Sequence, residues 1–169
     1  MTSRQKHHEG LSVTASSDTD LVLTRTFAAS RRLVFDAFTR PELLKRWYGA
    51  RGWQLVVCDI DLCPGGAWRF LSRGPDGAEL SHGGVYREVD PPGRLVQTEI
   101  YDGWDASEAL VTTAFDERDG RTVMTTTVRY PSRDVRDSVL RTPMERGAGE
   151  AYDRLTELLS ETISKGERR

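Results

Sequence analysis

Apolar positions along this chain change period twice, and the changes divide it into elements. Leu21 to Phe27 is rich in β-formers and predicts a first strand. Behind Ser30, a good N-cap, Val34, Ala37 and Phe38 recur at helical spacing, which predicts a helix from Arg31 to Phe38. Pro41, whose missing N–H suits a first helical turn, opens a second short helix ending near Gly49. From Trp53 onward the pattern becomes strands cut by turns: 53–62, 67–73, 78–89, 94–101, 108–115 and 121–130. Short connections such as Gly74-Pro75-Asp76-Gly77 and Asp90-Pro91-Pro92-Gly93 make an antiparallel meander the default. Ser132 then caps a short helix through Leu140, and a longer one spans about 143–163. In it Met144, Ala148, Ala151, Tyr152, Leu155, Leu158 and Leu159 form a stripe at threes and fours. Gly147 and Gly149 interrupt it at a cost of about 1 kcal/mol each relative to alanine, so a bend or a close backbone approach is expected there. Residues 1–19 are polar and aperiodic and read as a weakly ordered leader, 20–163 as one domain, and 164–169 as a flexible tail. A curved sheet with one face to cover and a helix with one stripe to bury fit together, with the helix docked across the concave face.

The bulk properties narrow the function more than they define it. The 169 residues suffice for one unstapled core. Charged residues make up 30% but nearly cancel, leaving −2, which argues against nucleic-acid or anionic-membrane partners. No apolar run approaches the roughly 20 residues of a bilayer span, and the first twenty residues lack the apolar core of a secretory signal, so a cytoplasmic address is expected. Cys58 and Cys63 have no second pair and no nearby histidine. They read as reduced thiols rather than as a zinc site, with a strained local disulfide or a reactive thiol as alternatives. His7-His8 reads as a solvated pair, and no cofactor is called for.

Several words in the chain carry a family resemblance. They are Phe27-Ala28-Ala29-Ser30 with Val34-Phe35-Asp36-Ala37-Phe38-Thr39-Arg40-Pro41-Glu42-Leu43, then Arg46-Trp47-Tyr48-Gly49, then Asp61 to Phe70 around Pro64-Gly65-Gly66. Gly84 to Val96 and Met144-Glu145-Arg146-Gly147 with Tyr152-Asp153-Arg154-Leu155 follow in the same order. Over roughly 21–160 the chain resembles the START-like (Bet v 1-like, SRPBCC) superfamily, in the branch named for the activator of Hsp90 ATPase. The resemblance implies an α+β helix-grip fold: a curved antiparallel sheet of about seven strands around a long C-terminal helix, with two short helices after the first strand. It also implies an internal cavity, and relatives that bind hydrophobic molecules, modify polyketides or neutralise enediyne antibiotics by self-sacrifice. After Gly147, where an aromatic is common in the family, this chain has Ala148. The smaller side chain enlarges the pocket, opens a route to it, or compensates for a larger neighbour.

The chemistry-bearing residues are few. His82 is the one histidine inside the domain, and no nucleophile elbow surrounds any serine, so a Ser-His-acid hydrolase is not supported. His82 shares strand parity with Tyr86, and Glu99 with Gln97 and Tyr101, which makes His82 and Glu99 the candidate acid/base groups if they face inward. The Glu99 face could form a polar rim or an interior cluster with Arg69 or Arg87, since a buried carboxylate must be paired or hydrogen-bonded, or it could simply be solvent. Asp59 and Asp61 are weaker candidates. The candidate ligand-contact set is Trp47, Trp68, Phe70, Tyr86, Tyr101, Phe115, Tyr152, Leu155 and Ala148, with Met124 and Met144 as adaptable fillers. Gly65-Gly66 and Gly83-Gly84 lack the strand-to-helix setting of a phosphate cradle and read as a tight turn and a bulge. The leading expectation is a cofactor-free binder of a hydrophobic, aromatic or polyketide-like small molecule. Alternatives are self-sacrifice against an enediyne, cut at Gly83, Gly84 or Gly103, and polyketide cyclase or dehydratase chemistry. A homodimer is left open, and an Hsp90-type ATPase is not the expected partner.

Overall fold

The computed structural model describes residues 6–8 and 10–167. Its strands are β1 (Lys6–His8), β2 (Leu11–Ala15), β3 (Asp20–Phe27), β4 (Gln54–Ile60), β5 (Ala67–Arg73), β6 (Glu79–Asp90), β7 (Arg94–Tyr101), β8 (Ala109–Arg118) and β9 (Arg121–Arg129). The helices are α1 (Arg31–Thr39) and α2 (Pro41–Trp47) between β3 and β4, and α3 (Arg133–Leu140) and α4 (Met144–Glu167) after β9. One antiparallel sheet runs β1-β2-β3-β9-β8-β7-β6-β5-β4. The chain leaves β3, crosses by α1 and α2 to the far edge, and meanders back until β9 pairs with β3. This is the expected helix-grip arrangement.

The local signals act as their chemistry dictates. Ser30 Oγ accepts the Leu33 N–H at 3.4 Å and Ser132 Oγ the Val135 N–H at 3.2 Å, capping α1 and α3. Gly65 has φ +85° and its N–H bonds the Tyr86 carbonyl, while a Cβ on Gly66 would lie 2.0 Å from the Asp61 carbonyl oxygen. No other residue fits that β4–β5 turn. Sheet curvature is helped by bulges between Leu55 and Val57 in β4 and between Tyr86 and Glu88 in β6. Cys58 is buried and Cys63 exposed, and both are free thiols. Burial pushes the Cys58 thiol up to about 11.

The leader is where sequence and structure part. Leu11–Ala15 is a strand paired residue for residue with β3 (Leu11 with Arg25, Val13 with Leu23, Ala15 with Leu21), and Leu11 and Val13 are buried. The sheet therefore exceeds the seven expected strands by the β1–β2 hairpin, and the domain begins before residue 20. The alternation Leu11, Val13, Ala15 is a genuine period of two, but serine and threonine dilute it and it spans only five residues. Its burial comes from pairing with β3, which propensity does not register. At the other end the helix continues through Glu167 in place of a tail from 164, and residues 168 and 169 lie outside the described residues. Nor does Gly147 mark a close approach, since a Cβ there would meet nothing within 4 Å.

The interior is not one continuous apolar body. A larger cluster joins Phe27, Phe35, Trp47, Trp68, Phe70, Tyr86, Phe115 and Met124 to Leu155, Leu158 and Leu159 of α4. A smaller one joins Leu11, Val13, Leu21, Leu23, Ala109 and Val128. Tyr152 of α4 touches both.

Candidate functional site

The gap between the two clusters is occupied by polar side chains of the sheet's inner face. Cross-strand register puts Cys58, Phe70, His82 and Tyr101 in one row across β4 to β7. In the next row Ile60, Trp68 and Gly84 follow one another, and Glu99, two residues before Tyr101, pairs on its far side with Ala109. Gly84 makes this row possible, because a Cβ there would lie 1.9 Å from the Thr98 carbonyl oxygen. Without one, the Trp68 indole N–H reaches that oxygen at 3.0 Å, and Thr98 Oγ1 accepts the Val85 N–H at 2.9 Å. The ring of Trp68 is thereby fixed beside Glu99.

His82 is 1% exposed and ringed by aromatics. It stacks on Tyr101 (centroids 4.7 Å, 17° between planes) and on Tyr48 (5.9 Å, 26°), and Trp68 and Phe70 meet it edge-on at 5.3 and 5.6 Å. Its Nε2 is hydrogen-bonded to the Tyr48 hydroxyl at 2.9 Å, while Nδ1 is buried with no partner. Desolvation, with Arg69 as a lesser cause, lowers its pKa to about 4, so the ring is neutral at physiological pH. A neutral imidazole has one donor and one acceptor nitrogen. If Nε2–H donates to Tyr48, a bare Nδ1 and a free phenol O–H remain. If Tyr48 donates, Nδ1–H remains. Of the two, only the first leaves its unused donor on a residue with accessible surface, the Tyr48 hydroxyl, because Nδ1 itself is sealed.

Glu99 has no hydrogen bond or ion pair among the described residues, and desolvation raises its pKa to about 7. The expected arginine partners are elsewhere: Arg69 lies on the other face, held by Asp102 and Ser81, and Arg87 is exposed. Four tyrosines feel the Glu99 charge. It is the largest cause of the raised pKa of Tyr101 and the second, after burial, for Tyr48, Tyr130 and Tyr152. These groups are enclosed deeply enough for desolvation to shift them strongly. Yet Glu99, Tyr48, Tyr101, Tyr130 and Tyr152 all keep accessible surface.

The candidate set therefore divides. Trp68, Phe70, Tyr86 and Tyr101 share the inner face with His82 and Glu99, and Tyr152 of α4 packs its ring against Phe27, Phe38 and Trp47. Trp47 donates its indole N–H to the Ala37 carbonyl at 2.9 Å and, with Phe115, Met124 and Leu155, is packed to 1% exposure or less. Those four support the site from behind. Met144 and Ala148 pack against the smaller cluster beyond Tyr152, apart from the main aromatic group. Asp59 and Asp61 take no part in the interior, being on exposed positions of β4 and the following turn. Sequence reasoning missed Tyr48 and Tyr130. Tyr130 has the parity of Val128 and was legible in principle, whereas Tyr48 follows the end of α2, where neither period applies.

Arg154 fixes Tyr48. Its guanidinium donates to the carbonyls of Arg46, Tyr48, Gly49, Ala50 and Trp53 at 2.9–3.5 Å, tying α4 to the C-terminal end of α2 and the loop behind it. Arg46–Glu161 (2.8 Å) and Arg51–Glu157 (2.6 Å) add exposed pairs along the same seam.

Residues 28–160 match the family model of the activator of Hsp90 ATPase homolog 1-like proteins. The chain belongs to this family. Among solved structures this AHSA1-like domain is similar to a Rhodobacter sphaeroides protein at 33% identity, covering 90% of this chain and 99% of that one, with a TM-score of 0.85. A Mycobacterium smegmatis protein is 27% identical over 87% of this chain and 94% of its own (TM-score 0.79). An AHSA1 protein of Silicibacter pomeroyi, 23% identical over 85% and 99% (TM-score 0.71), shares the fold. No curated protein is detectably similar. The family is generally ligand-binding, and no helix among the described residues is long and apolar enough to cross a membrane.

Proposed function

We propose that this AHSA1-like domain binds a ring-bearing, amphiphilic small molecule in the space between sheet and α4. The observation that carries the reading is accessible surface deep in the interior at Glu99, Tyr48, Tyr101 and Tyr152, beside packed rings and beside hydrogen-bonding atoms that no protein group satisfies. A buried polar atom without a partner costs about 1–3 kcal/mol. A guest that satisfies such atoms recovers that cost while its apolar part leaves water against Trp68, Phe70 and Tyr86. The polar band makes the guest amphiphilic rather than purely hydrophobic. Titration with a panel of polycyclic aromatic alcohols, followed by tryptophan fluorescence, tests it. One saturable site per chain, lost in Trp68→Ala of retained fold, supports the reading, and a panel without saturable binding overturns it.

A second reading, proton transfer on such a guest as in polyketide cyclisation or dehydration, is favoured by the position of His82 and Glu99 on one inner face. Its test is solvent deuterium exchange into a bound ketone, abolished by Glu99→Gln. The self-sacrifice alternative draws little from the glycines: Gly83 and Gly84 are packed against the Trp68 and Thr98 carbonyls, and only Gly103 has open space.

A further inference from the structure

The composition of the polar band says more about the guest, resting on the binding reading above. Its ionisable members come from every element that closes on it: Tyr48 from the end of α2, His82 from β6, Glu99 and Tyr101 from β7, Tyr130 from the end of β9 and Tyr152 from α4. Of these, only Glu99 ionises near neutral pH, and its charge is negative. The nearby arginines are committed elsewhere. Arg25 of β3 is paired with Asp153 at 2.8 Å and bonded to Thr156, Arg69 is held outside the sheet by Asp102, and Arg154 is spent on backbone carbonyls. Around the neutral imidazole the band thus gathers one carboxylate and four phenols, with Tyr86 and the Cys58 thiol on the same face, and the buried guanidinium that acts on Tyr152, Arg25, is already engaged by Asp153 and Thr156.

We propose that the ligand carries a protonated amine, which lies against the Glu99 carboxylate within the group of Tyr48, Tyr101, Tyr130 and Tyr152. Three features of an ammonium fit this place. Its charge supplies the ion-pair partner that no protein side chain provides. Its N–H donors find acceptors in the carboxylate and the phenol oxygens. Phenol faces attract a cation through the ring quadrupole, more strongly when both are out of water. An acidic guest would meet Glu99 as a like charge. A neutral guest would leave Glu99 either protonated or unpaired.

The test compares naphthylethylamine with naphthylethanol, which have nearly the same shape and differ in charge, by calorimetric titration of the full chain. At about pH 8 the amine is expected to bind at least about tenfold more tightly than the alcohol, a difference in the range of one desolvated charge contact. That preference is expected to shrink toward unity at about pH 5, where Glu99 is protonated while the amine keeps its charge. It is also expected to vanish in Glu99→Gln, which keeps shape and hydrogen-bonding capacity. Binding of the amine near pH 7 should release a proton, read as a dependence of the observed heat on buffer ionisation enthalpy. If the alcohol binds as tightly as the amine at both pH values, the amine assignment is wrong and the cavity reading stands. If neither binds, both are wrong. A preference that survives in Glu99→Gln likewise overturns the assignment, since the cation would then be recognised elsewhere. Thermal melts of the variant guard the comparison, because removing an unpartnered carboxyl is expected to leave the fold intact or more stable.

Discussion

Replacing Glu99 by glutamine in the ligand-free protein isolates the energetic cost of the site. Burial takes this carboxyl from an ordinary value of 4.5 to about 7. Each pH unit of displacement corresponds to about 1.4 kcal/mol, so holding the ionised form inside the fold costs at most about 3.5 kcal/mol. The carboxyl faces accessible interior surface, where water screens it, and a working figure is about 1–2 kcal/mol. The sign follows from proton counts. Between about pH 4.5 and 7 the folded chain retains a proton that the unfolded chain has released, so this group lowers stability progressively as pH rises through that window. Above it the cost is constant, and below it the cost is absent. Glutamine has nothing to ionise. The variant should therefore match the parent at about pH 4.5 and exceed it by about 1–2 kcal/mol at about pH 8, or about 2–8 °C in midpoint for a chain of this size. Guanidinium unfolding of both proteins at the two pH values, compared at equal m, measures it. A stability difference that is the same at both pH values would refute the reasoning, for it would mean that Glu99 is ordinarily solvated or already paired.

Three other expectations follow from the same geometry. His82, held neutral with a pKa near 4, binds fewer protons folded than unfolded, so in the Glu99→Gln background stability should climb from about pH 4 to about pH 6.5; a flat profile there would mean a solvated ring. Gly84→Ala, whose Cβ meets the Thr98 carbonyl at 1.9 Å, should cost about 1–3 kcal/mol or more, while Gly147→Ala, with open space around its Cβ, should gain up to about 1 kcal/mol of helix propensity. Chemical denaturation measures both, and equal effects would mean that the β6–β7 contact is looser than described. Arg154→Met should cost about 2–3 kcal/mol by leaving its carbonyl acceptors without a charged donor, and should raise hydrogen exchange in the 48–53 loop; unchanged exchange would show that the loop is held by other contacts.

Most of the fold was legible because its elements are periodic and sharply bounded. β5 and β7 have the limits that the residues announce, and both serine caps act as such. Strand parity grouped His82 with Tyr86 and Glu99 with Tyr101 but left open which face is inward; the β6 bulge lies beyond Tyr86 and leaves His82 in phase. Parity says which face a residue takes but not whom it meets. One arrangement read for Glu99 was a cluster with Arg69 or Arg87, yet Arg69 has opposite parity on its strand and points away. The β1–β2 hairpin escaped because five diluted residues acquire strand character only by pairing. Tyr48 escaped because its place is set by Arg154, more than a hundred residues distant in sequence.

The Arg154 seam also bears on kinetics. It fastens the C-terminal part of α4 to α2 through a guanidinium cluster and two ion pairs. In contrast, among the described residues the ion pair involving residues 144–150 stays within the helix, Arg146 with Glu150. That first stretch meets the sheet through Met144 and Ala148, a flexible side chain and a small one, beside the open space at Gly147. A rod bolted at one end pivots at the bolt. Under the binding reading, exchange of a guest with solvent is therefore expected to follow opening of the first two turns of α4. Residence time will respond to substitutions near Met144 that leave equilibrium affinity almost untouched.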